Sequence, residues 1–310
     1  MTLSFKQLHP LFMAEIDGVD LKKDRGPDVA AAIEKVLDEH AVVILRRQFL
    51  TDDEQIEFSQ NLGQLSYAMN HGRKQDQKAR LRPELYDISN LDEGNEVLDT
   101  EDRRRAWRTG DRLWHTDRSF IAAETTYSLL TGRIVPVGHA DTQFADMRAA
   151  YDDLDAETKA LIADKHCEHS VWFSRALAGG TNFREDEVRS MPPVQQPLVN
   201  VHPVTGRKSL FIASHASHIV EMPRASGRIL LDRLMVFATQ PKYVYSMQWN
   251  EGDLVIWDNR MTMHRGTDYD DVRYKRDMRR TTVQGRPLRL AGGPPSAPRP
   301  GHPAGAASGS

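Results

Sequence analysis

From residue 125 onward the chain is a series of short runs rich in β-branched and aromatic residues, and helical patterns do not separate them regularly. Strand-like runs fall at 125–130, 142–144, 169–173, 198–202, 209–213, 243–249, 254–257 and 276–283. Helical spacing is confined to 145–154, 156–164 and 227–239, the last with a Leu/Ile/Met/Val face. A doubly wound sheet needs a helix between successive parallel strands, so this pattern argues against one. It fits a jelly roll. Upstream, Val29, Ala32, Ile33, Val36 and Leu37 recur at the spacing of an amphipathic helix, predicted over 27–40. Residues 41–45 read as a short buried strand, Thr51 and Glu54 open a second helix over 51–62 as a capping box, and 85–89 suggest a further strand. The expected class is mainly β with flanking helices.

Within that frame His115 and Asp117 stand two residues apart. In an extended segment such residues point to the same side, so an imidazole and a carboxylate aim at one point. A His-x-Asp triplet arises easily by chance in a chain with 12 histidines. Its company is more specific. The apolar run 253–257 leads to His264, 147 residues beyond Asp117 (264 − 117), and Arg276 and Arg280 follow twelve and sixteen residues after His264. His264 is the best candidate for a third ligand. Two histidines and one carboxylate on one face of a metal leave its other positions open, the ligand set of non-haem Fe(II) oxygenases.

A chain of 310 residues forms one large domain or two average ones. Hydrophobic residues at 39% and charged residues at 27% describe an ordinary globular protein. The formal net charge of −3 shows no basic excess, which excludes a nucleic-acid partner from the expectation. No apolar run approaches the ~20 residues that span a bilayer, and residues 1–12 lack the basic-then-apolar pattern of a signal peptide. Cys167 is the single cysteine, which excludes an intrachain disulfide framework, so a cytoplasmic protein is expected. Residues 287–310, rich in Pro, Gly, Ala and Ser, read as a disordered tail after one folded domain over 1–286. The segment 90–111 is highly charged and longer than usual loops. With the stretch from 67, it is expected to form a lid over the metal.

The chain resembles the Fe(II)/2-oxoglutarate-dependent taurine/2,4-dichlorophenoxyacetate dioxygenase family, and most closely its aryloxyacetate-degrading branch. The resemblance runs from Leu8-His9-Pro10-Leu11-Phe12 to about Thr282. It includes Leu113-Trp114-His115-Thr116-Asp117, Asp146-Met147-Arg148-Ala149-Ala150-Tyr151-Asp152, His215-Ala216-Ser217-His218 and Trp257-Asp258-Asn259-Arg260. It implies the double-stranded β-helix, a cupin-like jelly roll, with Fe(II) held by His115, Asp117 and His264. Open positions on the metal take 2-oxoglutarate and O2. Arg276 would hold the far carboxylate of 2-oxoglutarate with the fork a lysine lacks, supported by the Thr142 hydroxyl and flanked by Trp257. Several relatives carry the first arginine one residue nearer the distal histidine, so Lys275 is a rival. Arg279 is expected to point outward. Relatives usually have Arg-Gly-Gln where this chain has Arg46-Arg47-Gln48, which suggests a different turn.

Arg280 is the candidate for the anionic group of a small organic substrate, although a structural ion pair fits it equally on sequence alone. The resemblance places His202, His215 and His218 around the substrate, against the default of core or surface histidines. His71, Lys74 and Asn90 are expected to reach the substrate from the lid side, in the region that diverges from the family most. The expected reaction is hydroxylation of an aryloxyacetate such as 2,4-dichlorophenoxyacetate, giving a phenol and glyoxylate with succinate and CO2. That is a step of aromatic hydrocarbon catabolism and herbicide degradation, carried out by a homo-oligomer. A taurine, alkylsulfonate or alkyl sulfate dioxygenase is the competing enzyme, and a non-catalytic metal-binding β-barrel the competing class.

Overall fold

The computed structural model describes residues 2–68, 78–136, 138–180 and 183–285. His71, Lys74 and the tail 287–310 lie outside them, as does part of the expected lid. The protein is mostly sheet with helices. Seven strands form the large sheet, in the spatial order Ser4–Gln7, Ala14–Asp17, Val42–Leu45, Leu254–Asp258, Thr125–Ile134, Asp277–Gln284 and Tyr86–Asp87. A second sheet has three strands, Val244–Met247, Thr142–Asp146 and Thr262–Gly266, with Thr142–Asp146 in the centre.

Two-residue alternation along the central strands sorts their side chains into two layers. Val42, Ile44, Val255, Trp257 and Met278 of the large sheet share one core with Phe144 and Met247 of the small sheet. The alternate residues Val43, Leu45, Leu254 and Ile256 pack instead with Val29, Ile33 and Leu37 of one helix and Ile56 and Phe58 of another. Those helices are Pro27–His40 and Asp52–Leu62. The second begins at Thr51, whose side chain accepts from the Glu54 backbone while the Glu54 carboxylate accepts from Thr51, the expected capping box. The central strands are therefore buried on both faces, and the large sheet lies between helices and the second sheet.

Several local expectations change. Residues 169–173 are not a strand: His166–His169 is, and the helix Val171–Leu177 follows. The Ser170 hydroxyl accepts from Phe173 N, and this cap overrides the strand tendency of Val171, Trp172 and Phe173. The charged segment 90–111 is not a bare loop. It holds the helix Arg103–Arg108, and its charges are paired, Arg104 with Asp102 and Glu93, Arg105 with Asp271. The strand Thr262–Gly266, which carries His264, has no alternating pattern and was not foreseen. Arg47 has φ 54°, a left-handed conformation that glycine adopts freely.

Candidate active site

His115 and His264 meet as an isolated antiparallel bridge. His115 N donates to His264 O at 2.9 Å and His264 N to His115 O at 2.8 Å. The imidazole rings lie 4.2 Å apart, and Asp117, two residues on, reaches the same point. The Asp117 carboxylate is 3.9 Å from His115 Nε2 and 3.7 Å from His264 Nε2. One ligand atom from each of the three side chains lies within 4.8 Å of the others, and all three residues are buried.

The donor chemistry suits a divalent metal. His115 Nδ1 lies 2.8 Å from the Leu113 carbonyl, which can only accept, so the proton sits on Nδ1 and Nε2 turns its lone pair to the centre. Burial pushes the pKa of His264 well below the usual imidazole value, leaving it neutral. Burial alone would raise the Asp117 carboxyl, but the Arg280 guanidinium beside it holds it below the ordinary carboxylate value. With Nδ1 of His115 turned to a carbonyl, His264 kept neutral by burial and Asp117 ionised, the three side chains present the donor set of a divalent-metal site.

Two residues with no foreseen role orient Asp117. Ser128 Oγ donates to Asp117 Oδ2 at 2.7 Å and accepts from Asn259 Nδ2 at 2.9 Å. Asn259 Oδ1 accepts from Asp117 N at 3.2 Å and from Trp257 Nε1 at 3.0 Å. Asn259 stands inside the Trp257–Arg260 motif, but two of its partners, Ser128 and Asp117, are distant in sequence. Trp257 packs against His264, ring centroids 4.6 Å apart.

The triad opens into a cavity lined by His115, Asp117, Tyr86, Trp107, Arg108, Phe120, His215 and Arg280, among others. Arg280 donates from Nη1 to Asp117 Oδ1 and stacks on Tyr86, 4.8 Å from its centroid. Arg276 lines a second cavity, with Tyr269, Gly266 and Asn90. Its Nη1 donates to Ile88 O, and its Nε is buried without a partner among the described residues. Ile88, Arg108 and Asp111 line both cavities and so form their common wall. Thr142 lines neither; its hydroxyl accepts from Trp249 Nε1, and its strand partner is Gly266 of the second cavity.

The remaining candidates separate by their partners. Lys275 is paired with Glu96 at 2.8 Å and its side chain is 39% exposed, so the buried fork belongs to Arg276. Arg279 is tied to Asp52 and Asp277 rather than free at the surface. His215 does line the metal cavity, with Nδ1 at 2.8 Å from Ser174 Oγ. His202 lines neither cavity: its Nε2 is 3.2 Å from Asp258 Oδ2 and 3.0 Å from Arg260 Nη2 in a buried charged cluster. His218 also lines neither, and its Nδ1 lies 2.9 Å from Ser217 Oγ. Asn90 has no donor to spare for a substrate. Its amide donates to Asp271 O and Tyr274 O and accepts from Arg276 N, which makes it a brace for Arg276.

A buried two-histidine, one-carboxylate centre beside a separate arginine cavity defines a site for a metal-dependent oxygenase. Residues 4–282 match the family described as "Taurine catabolism dioxygenase TauD, TfdA family". The chain is 40% identical over 291 residues to the alpha-ketoglutarate-dependent 2,4-dichlorophenoxyacetate dioxygenase of Burkholderia sp. (strain RASC), covering 94% of this chain and 97% of that one. It is 40% identical over 283 residues to the enzyme of the same name from Cupriavidus pinatubonensis, covering 91% and 98%. The crystal structure of AAD-2 in complex with Mn(II) and N-oxalylglycine superposes with a TM-score of 0.87 at 42% identity, covering 92% of this chain and 99% of that one. The chain belongs to the TauD/TfdA family. It is a 2-oxoglutarate-dependent non-haem iron dioxygenase, using Fe(II), 2-oxoglutarate and O2.

Proposed function

We propose that this dioxygenase hydroxylates an aryloxyacetate, and that the seven-stranded sheet and the sheet centred on Thr142–Asp146 form the double-stranded β-helix of a single domain over residues 1–286, with the described residues 78–111 as part of its cover. One observation carries the substrate reading: a cavity with Tyr86, Trp107 and Phe120 in its walls also holds Arg280 beside the metal triad. An aryl ring suits the aromatic walls and a carboxylate suits the guanidinium. Relatives named for 2,4-dichlorophenoxyacetate at 40% identity support it.

In this reading His115, Asp117 and His264 hold Fe(II). Bound iron and 2-oxoglutarate supply the oxidant that places one atom of O2 in a substrate C–H bond, the other leaving in succinate with loss of CO2. Arg276 grips the far carboxylate of 2-oxoglutarate, with Thr142 and Trp257 nearby, and Asn90 holds the Arg276 backbone in place. Arg280 exchanges its contact with Asp117 for the substrate carboxylate, which aims the adjacent carbon at the metal. His215, neutral because burial pushes its pKa far down, lines the pocket without adding charge. The product is a hemiacetal of glyoxylate that collapses to the phenol unaided, so no acid–base pair is required of the chain.

Anaerobic addition of Fe(II) and 2-oxoglutarate should produce the visible charge-transfer band of the chelate. Phenoxyacetate and O2 should then give succinate and phenol together. A band and succinate without phenol would retain the enzyme and discard the substrate; sulfite or sulfate release from the corresponding sulfur compounds would replace it.

A further inference from the structure

Arg108 ends the short helix Arg103–Arg108 and stands in the wall shared by the metal cavity and the Arg276 cavity. Its Nη1 is shielded from solvent and has no hydrogen-bond partner among the described residues. The acids whose charges it feels are Asp87 and Asp111. Neither is hydrogen-bonded to that Nη1. Arg80 engages both carboxylate oxygens of Asp87, at 2.9 and 2.8 Å, and Ser89 donates to it as well. Asp111 accepts from Arg175 at 3.1 Å. Burial outweighs the pull of both acids and lowers the pKa of Arg108. Leaving a guanidinium donor buried and unpaired is costly, so an anion that reached it would relieve that cost.

We propose that Arg108 is a further carboxylate-binding residue of this site, whose Nη1 is completed by a carboxylate of bound 2-oxoglutarate or of the organic-acid substrate. This deepens the dioxygenase reading and rests on it for the choice of ligand. Any molecule reaching from the triad to Arg276 must pass the wall that Arg108 occupies, and a substrate in the metal cavity faces the same side chain. Both sources offer the same chemistry.

The test uses the full-length chain loaded with Mn(II), comparing wild type with Arg108→Met and Arg108→Lys. Thermal melting of each is recorded without ligand. Binding of 2-oxoglutarate and of phenoxyacetate is then measured separately by quenching of tryptophan fluorescence, Trp107 being in the cavity wall. Removing an unpaired buried charge should leave the ligand-free melting temperature of Arg108→Met unchanged or higher. The Kd of one carboxylate should rise about tenfold or more, with Arg108→Lys between the two, because a lysine keeps the charge but loses the fork. Weakening for 2-oxoglutarate alone assigns Arg108 to the co-substrate, and for phenoxyacetate alone to the substrate. Both Kd values within twofold of wild type, or a ligand-free Arg108→Met protein that melts several degrees lower, would overturn the inference in favour of a structural arginine. A wild-type protein that binds neither probe would overturn the proposed activity and this inference with it, whereas wild-type binding that the variants leave unchanged overturns the inference alone.

Discussion

His115 and His264 are hydrogen-bonded to each other through both backbone amides, at 2.9 and 2.8 Å. Two candidate ligands 149 residues apart in sequence (264 − 115) are thus locked in register by the main chain, not only by their side chains. In antiparallel pairing, residues directly opposite carry their side chains to the same face. The candidate metal centre is built on a bridge.

Replacing His264 with alanine keeps that bridge and removes one ligand. Metal content should fall well below one per chain, and turnover by more than roughly 100-fold, since even outer partners of metal ligands are worth 10–100-fold. Metal analysis beside circular dichroism checks this: a folded variant that still holds stoichiometric iron would refute the assignment.

Asn259 acts on the same centre indirectly, by holding the backbone of Asp117 and, through Ser128, its carboxylate. Asn259→Ala should weaken Fe(II) binding by about tenfold. The affinity for 2-oxoglutarate, measured at saturating metal, should stay near the wild-type value.

Adjacent cations separate a buried fork from a surface charge. Lys275→Ala, which breaks an exposed pair with Glu96, should leave 2-oxoglutarate affinity within about twofold. Arg276→Ala should weaken it by about 100-fold, the scale of losing a two-pronged charged contact. Titration of the charge-transfer band reads both.

His202 and Arg280 should divide stability from substrate binding. His202→Asn disturbs the buried cluster with Asp258 and Arg260 and should cost about 3 kcal/mol of stability with KM little changed. Arg280→Ala should raise KM for an anionic substrate at least tenfold, by the loss of one charged hydrogen bond. Melting curves and steady-state kinetics on both variants make the comparison.

Acid should loosen the sheet edge at Asp277. Burial alone would raise its carboxyl, but Arg80 and Arg279 bring it from an ordinary 3.8 to about 2. A depressed folded-state pKa gives stability that is fully present above the unfolded value and is lost as pH falls through the folded one. The contribution, about 2 kcal/mol, should therefore be complete above about pH 4 and disappear toward pH 2. Denaturant unfolding across that window should show a steeper loss for wild type than for Asp277→Asn.

Much of this molecule was legible in one dimension, wherever the physics is local. Period 3.6 marked the helix Pro27–His40, and a capping box whose groups lie three residues apart marked the start of Asp52–Leu62. The His-x-Asp spacing pointed to two candidate ligands because alternation along an extended chain is a property of neighbours. The resemblance supplied Arg276 and Arg280. Tertiary structure alone decided the rest. The strand carrying His264, Thr-Met-His-Arg-Gly, exists because Thr142–Asp146 pairs with it, not because its own pattern asks for a strand. The helix Val171–Leu177 forms from strand-like residues because Ser170 caps it. His202 and His218 are chemically identical to His215, and only packing sends the first two to other partners and the third to the cavity. Arg108 looks like any surface arginine of a charged segment until it is seen buried with Nη1 unpaired among the described residues, while nearby Asp87 is held by Arg80 and Asp111 bonds Arg175. Which donor is left unpaired depends on every competing donor nearby, and that competition exists only once the chain has folded.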